Sequence, residues 1–203
     1  VVKTPDKFDQ EWLNTDPKDL WIFDKLILST KLGYICGPTG NDVPEDGYYV
    51  VRPCVNMLGL GLGASLEFLR KDVWTDYLPV GTFWCEQFKG DHISVDYHWN
   101  KPHLTVQGFK SEYTYTRWDK WVKINHCFDA PPILNTLSKQ YEWVNCEYIG
   151  GKLIEVHLRS NPDFDYDNTE FIPVWKNQSV NVPEGYRYVK CPDIHGRIGA
   201  YIK

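Results

Sequence analysis

Trp143-Val144-Asn145-Cys146-Glu147-Tyr148-Ile149, Gly150-Gly151, Lys152-Leu153-Ile154-Glu155-Val156-His157-Leu158-Arg159 is the stretch from which the rest of the chain can be read. Apolar and polar residues alternate on both sides of a Gly-Gly pair, the pattern of two antiparallel strands joined by a tight turn. On the second arm Glu155, His157 and Arg159 share one face, and Ile154, Val156 and Leu158 share the other. A two-residue turn at Gly150-Gly151 sets Cys146 against Glu155 and sends Glu147 to the apolar face. A three-residue loop, Gly150-Gly151-Lys152, sets Glu147 against Glu155 and Asn145 against His157. The second register is preferred, because the first leaves a carboxylate among Ile154 and Val156, where an unpaired charge costs several kcal/mol.

That register gathers Asn145, Glu147, Glu155, His157 and Arg159 on one surface. Two facing carboxylates repel unless a cation lies between them, and a hard oxygen pair suits Mg2+, which commonly takes one or two carboxylates together with substrate phosphates. A solvated face whose acids are balanced by Arg159 and Lys152 fits the hairpin equally well.

Upstream, Asp16-Pro17-Lys18-Asp19 offers an N-cap followed by Pro at the first helical position. Residues 24–32 read as a helix ended by Gly33. A turn-rich loop over 37–42 leads to a strand over 48–52, closed by Pro53. Gly59, Gly61 and Gly63 then alternate through a loop that serves either as a flexible connection or as a cover for phosphates. The loop matches neither G-x-G-x-x-G nor a P-loop. Residues 64–70 read as a helix. Residues 82–99 hold two strands split at Gly90, with Ile93, Val95, Tyr97 and Trp99 on one core-facing side, and Asn100-Lys101-Pro102 turns the chain into a hairpin with 103–106. Residues 111–123 stay open between strand and loop, and 129–140 read as a capped helix with prolines near its start.

The 203 residues carry 42% hydrophobic, 15% aromatic and 24% charged side chains, which excludes a disordered tail, a collagen or a coiled coil. A net charge of −5 leaves no general basic field for nucleic acid or an anionic membrane. No apolar run approaches the roughly 20 residues that span a bilayer, and the start at Val1 does not read as a signal peptide. The six cysteines are scattered, without metal-finger spacing, and fit a reducing, cytoplasmic setting. Asn177-Gln178-Ser179 reads as a plain loop rather than a glycosylation site.

With these segments in place, the chain resembles the ATP-grasp superfamily, which includes D-alanine ligases, biotin carboxylases and carbamoyl phosphate synthetases. The family's late hairpin, roughly N-V-(E/Q), a turn, then I-E-x-N-x-R, is matched by Asn145-Cys146-Glu147 and Ile154-Glu155-Val156-His157-Leu158-Arg159. The resemblance makes Glu147 and Glu155 the metal-binding acids and Arg159 the family's basic residue. His157 stands where the family has Asn, and Asn161 is the candidate to substitute for it. Lys25 is similar to the first phosphate-contacting lysine and Arg52 to the second, arginine keeping the charge while changing its geometry. Gly59, Gly61 and Gly63 fall where the family folds a glycine-rich flap. The stretch from Phe83 through Asp96 looks like the family's linker between lobes, so Glu86, Gln87 and Phe88 are expected at the adenine and His92 near the ribose.

The fold so implied is α+β, with two α+β lobes clamping a nucleotide cleft. Residues 1–24 form an extension, 25–86 a small lobe with the glycine-rich loop, and 87–203 a large lobe with the metal-binding hairpin. Only 24 residues precede Lys25, where family enzymes carry a further domain. The resemblance therefore implies either a minimal core, like the family's small stand-alone and bacteriophage-encoded members, or a fragment. The implied activity is an ATP- and Mg2+-dependent carboxylate-amine or carboxylate-thiol ligase acting through an acyl phosphate, with Lys25, Arg52 and Arg159 as catalytic groups. Its substrates would be small-molecule or peptide carboxylates and amines, with no nucleic acid or membrane partner, and a partner subunit or homo-oligomer is compatible. Two rivals stand beside it: a nucleotide-binding protein without ligase activity, and a ligand-binding β-domain that uses its aromatics as platforms.

Overall fold

The computed structural model describes residues 10–55, 61, 63–110, 118–126, 128–165, 167–191 and 196–203. Asp16 caps a 3-10 helix, Pro17–Phe23, its side chain accepting from the Lys18 amide. Asp24 caps helix α1, Lys25–Lys31, accepting from the Leu26 and Ile27 amides at 2.9 and 3.0 Å. Two successive caps satisfy amides that helix starts leave unpaired. Gly33, at φ +73°, follows the end of α1.

Strands β1 (Cys36–Pro38), β2 (Gly47–Pro53), β3 (Ser65–Leu69) and β4 (Thr82–Glu86) form a four-stranded antiparallel sheet in the order β1-β4-β2-β3. One face packs Tyr49, Val51, Leu69 and Trp84 with Val43 and Leu78. The other carries Val50 and Arg52 with their cross-strand partners Leu66, Cys85 and Phe83. The helix expected over 64–70 is instead β3. It pairs with β2 from Gly47↔Leu69 to Val51↔Ser65, and this ladder satisfies more of the backbone than an isolated two-turn helix would.

Strands β5 (His92–His98), β6 (Lys101–Phe109), β7 (Lys120–Lys123), β8 (Trp143–Ile149), β9 (Lys152–His157), β10 (Glu170–Trp175), β11 (Arg187–Val189) and β12 (Arg197–Ile202) form the second sheet. Its order is β11-β12-β10-β7-β6-β5-β8-β9. Below it, Ile93, Val95 and Tyr97 of β5, Val144, Cys146 and Tyr148 of β8, and Leu153 and Val156 of β9 pack against Ile22, Phe23, Leu28, Leu134 and Leu137. No residue of the first sheet enters this cluster among the described residues. Leu28 places α1 under the larger sheet, although the sequence reading grouped residue 25 onward with the small lobe.

Two local expectations need correction. Trp99 is not in the core: Trp99 and Asn100, at φ +46° and +65°, form the two-residue turn between β5 and β6, leaving Trp99 51% exposed. The helix over 129–140 divides into a 3-10 turn, Pro132–Leu134, and a single-turn helix α2, Leu137–Gln140. Pro131, at ψ 141°, precedes Pro132 and is held out of the helical region by the next proline ring. Leu134 and Leu137 nonetheless reach the core.

The β8–β9 hairpin combines both registers weighed from the sequence. Ile149↔Lys152 and Tyr148↔Leu153 enclose a two-residue Gly150-Gly151 turn, with φ +55° and +78°. A bulge at Ile154 then shifts the pairing to Glu147↔Glu155, Cys146↔Val156 and Asn145↔His157. The two glutamates face each other as expected, through an extra residue in the strand rather than a longer loop.

The chain enters and leaves the small sheet side by side. The Glu86 amide donates to the Ile35 carbonyl (2.8 Å), and the Ile35 amide donates to Glu86 Oε1 (2.9 Å). The linker that follows lies on the β8–β9 turn, where the Gly150 amide donates to the Asp91 carbonyl (3.0 Å). A Cβ on Gly150 would land on the Lys89 carbonyl oxygen.

Candidate active site

Period-two alternation puts His92, Ser94 and Asp96 of β5, Asn145 and Glu147 of β8, and Glu155 and His157 of β9 on the face opposite the core, in register with one another. Lys25, at the start of α1, places its ammonium 3.1 Å from Glu155 Oε2. Its backbone amide donates to the Cys54 carbonyl at 2.7 Å, just beyond β2, so the lysine is fixed where the two sheets approach. His157 Nε2 lies 3.2 Å from Glu155 Oε1, and His92 Nε2 lies 2.9 Å from Glu147 Oε2.

Burial opposes ionisation of Glu155, but Lys25 and His157 overcome it and hold the carboxyl well below its usual range. Burial likewise opposes ionisation of Glu147, and His92 outweighs it. Arg52 is pulled down by burial and supported in its charge by Glu155, with Glu147 adding to the same effect. Burial and the Arg159 charge push His157 down, yet the carboxylates of Glu11 and Glu155 prevail and raise it to about 9. The imidazole is therefore a cation at neutral pH, with a carboxylate on each nitrogen.

The donor set fits a Mg2+ held by Glu147 and Glu155 and completed by phosphate oxygens, the usual way this ion is bound. It does not form a protein cage: no group of three or more His, Cys, Asp or Glu is placed to hold a metal among the described residues. His157, expected as a ligand, turns both ring nitrogens to carboxylates. Asn161, expected as its substitute, uses Oδ1 to accept from the Asp163 amide (3.0 Å) and its own amide to bond Asp96.

The linker residues expected at the adenine begin with Glu86, the last residue of β4, and continue beyond it. Glu86 is committed to the Ile35 amide, Gln87 is half-buried, and Phe88 packs edge-on against Tyr34 with ring centroids 4.7 Å apart. His92, expected near the ribose, lies on Glu147 with Trp118 and Trp121 against its ring, centroids 4.4 and 5.4 Å away. Gly61 and Gly63 are exposed at positive φ, and Gly59 lies outside the described residues.

Two site residues were not singled out from the sequence. Asp96 accepts from Asn145 Nδ2 (2.8 Å) and the Asn161 amide (3.0 Å), fixing the loop after β9 to the middle of the sheet. The i, i+2 spacing of His92, Ser94 and Asp96 in an otherwise apolar strand was the available signal. Glu11, in the 3-10 turn Gln10–Asn14, reaches His157 and Arg159, and no local pattern marks it.

An ATP-grasp superfamily protein from Archaeoglobus fulgidus superposes with a TM-score of 0.51 at 14% identity, over 90% of this chain and 64% of that one. The fold is the ATP-grasp fold. D-alanine–D-alanine ligase from Bacillus anthracis aligns with a TM-score of 0.43 at 13% identity, over 74% of this chain and 63% of that one. The ATP-grasp ligase PsnB, in complex with a minimal precursor, aligns with a TM-score of 0.44 at 12% identity, over 72% and 54%. The chain thus spans between about half and two thirds of the length of these ATP-grasp structures. No protein-family model and no curated sequence matches it.

Proposed function

We propose that the chain is an ATP- and Mg2+-dependent ligase that joins a carboxylate to an amine or a thiol through an acyl phosphate. The observation that supports this reading is the cross-strand pair Glu147 and Glu155, with Lys25 on one carboxylate and the charge of Arg52, on the small sheet, favoured by both. Mg2+ bound by that pair would supply charge neutralisation for the ATP phosphates. Lys25 and Arg52 would bind phosphate oxygens, Arg52 through its planar fork. His157 would hold Glu155 in orientation, and Arg159 would offset charge on the acceptor carboxylate. The γ-phosphoryl group would pass to that carboxylate with release of ADP, and the nucleophile would then displace phosphate.

The substrates in this reading are small or peptidic carboxylates and amines, and the setting is a reducing cytoplasm. The described cysteines carry free thiols, and no described helix is long and apolar enough to cross a membrane. Nucleotide binding without ligation is the second reading, favoured by the presence of Glu11 in front of His157 and Arg159.

Thermal melts with ATP and Mg2+ test the nucleotide site. A ligand at 100 times its Kd adds about 2.7 kcal/mol of stability, and Lys25→Ala and Glu155→Gln should each lose most of that gain. An undiminished gain in both variants overturns the site. ADP release across a panel of carboxylates and amines then separates ligation from binding alone.

A further inference from the structure

Glu11 belongs to a peripheral turn. Its neighbour Leu13 is 74% exposed, and Trp12 rests on Phe23 with ring centroids 5.8 Å apart. The Glu11 side chain itself is only 7% exposed. Its carboxylate meets His157 Nδ1 at 3.1 Å, the Leu158 amide at 2.6 Å and Arg159 Nε at 3.5 Å. A backbone N–H, an imidazole nitrogen and a guanidinium converging on one carboxylate make a built anion pocket. None of the three comes from the element that supplies the anion.

We propose that His157, the Leu158 amide and Arg159 form a carboxylate-binding subsite, and that Glu11 fills it as a resident occupant which the carboxylate of the acceptor substrate replaces. The identity of the replacing group rests on the ligase reading, whereas the subsite and its occupant do not. His157 bridges the pocket to Glu155, so an acceptor carboxylate seated there lies one imidazole away from the paired glutamates. The side chain that blocks the pocket has the chemistry of the ligand the pocket takes.

Glu11→Ala removes the carboxylate and leaves a space the size of acetate. In nucleotide-free protein followed by amide and imidazole NMR, acetate should shift the Leu158 amide and the His157 ring saturably in Glu11→Ala. Binding should be at least about tenfold tighter than in the unaltered chain, and Arg159→Ala in the same background should abolish it. Glu11→Gln, which keeps the shape and removes the charge, should leave the pocket closed to acetate. A folded Glu11→Ala chain without these shifts overturns the proposal, as does equal binding by the unaltered chain. Loss of the cooperative melt in Glu11→Ala, with Glu11→Gln also destabilised, makes Glu11 a fold-holding residue and overturns it too. With ATP and Mg2+ added, carboxylate-dependent ADP release should rise at least tenfold in Glu11→Ala, and a fall would make Glu11 a positioning residue instead. Acetate binding with no ADP release in either chain upholds the subsite and removes the ligase reading.

Discussion

His157 lies between the Glu11 and Glu155 carboxylates, and its raised pKa has a definite sign in stability. The folded value, about 9, lies above the ordinary 6.5, so the imidazolium contributes fully below pH 6.5 and its contribution is lost as pH rises through 9. Glu155 and Glu147 are held below their ordinary 4.5, so they contribute above that pH and lose their contribution as pH falls. Thermal melts of nucleotide-free protein should therefore weaken on both sides of a window between about pH 4.5 and 6.5. His157→Gln should flatten the alkaline limb and, because His157 helps hold Glu155 ionised, shrink the acid limb without abolishing it, Lys25 and His92 still supporting the two carboxylates. An alkaline limb of equal slope in that variant would assign the loss to another group. The sequence supplied His157 as a departure from a metal-ligating Asn, and nothing near it in the chain announced that residue 11 would be its partner.

At the scale of the element, the β8–β9 hairpin shows what alternation can and cannot deliver. Alternation with a Gly-Gly pair specified two strands and a turn, and the cost of burying Glu147 pointed to the correct opposite residue. Alternation could not reveal the bulge, because Leu153 and Ile154 are both buried and either one satisfies an apolar position. The same ambiguity misplaced residues 64–70, where a short run of Ser, Leu, Glu and Phe suits helix and edge strand alike and the pairing with β2 decides. The turn glycines give a direct comparison. Gly151→Ala meets open space at φ +78° and should cost about 1–2 kcal/mol for the left-handed backbone alone. Gly150→Ala also drives a methyl into the Lys89 carbonyl, so it should cost clearly more and should separate the linker from the turn. Urea denaturation of the two variants measures the difference, and equal losses would show that the linker does not rest on the turn.

Across the whole molecule, the strands over 48–52, 92–98, 103–106 and 143–157 and the break near Gly90 were legible because each carries its own alternation or punctuation, whereas β3 was read as a helix, β7 was left open, and β10 to β12 drew no reading. The packing of α1 was not legible either, since an amphipathic seven-residue helix does not state which of two sheets it covers. Leu28 answers that question by lying beneath the larger sheet, while the Lys25 amide reaches back to Cys54. The body beneath the larger sheet is thus assembled from segments on both sides of the small one.

The rung between Ile35 and Glu86 therefore closes a loop at its neck. The segment from β1 to β4 leaves and rejoins the body through two adjacent strand ends, Cys36 and Cys85 being direct cross-strand partners, with a further backbone tie from Lys25 to Cys54, and the apolar residues of one face of that sheet pack among themselves. Such an arrangement is an insertion: residues 37–84 can be cut out and the neck rejoined by an Asn-Gly turn without opening the remaining core. The shortened chain should keep a cooperative melt and its β-rich circular dichroism while losing every response to ATP. A shortened chain that stays unfolded would mean that the two sheets stand only together.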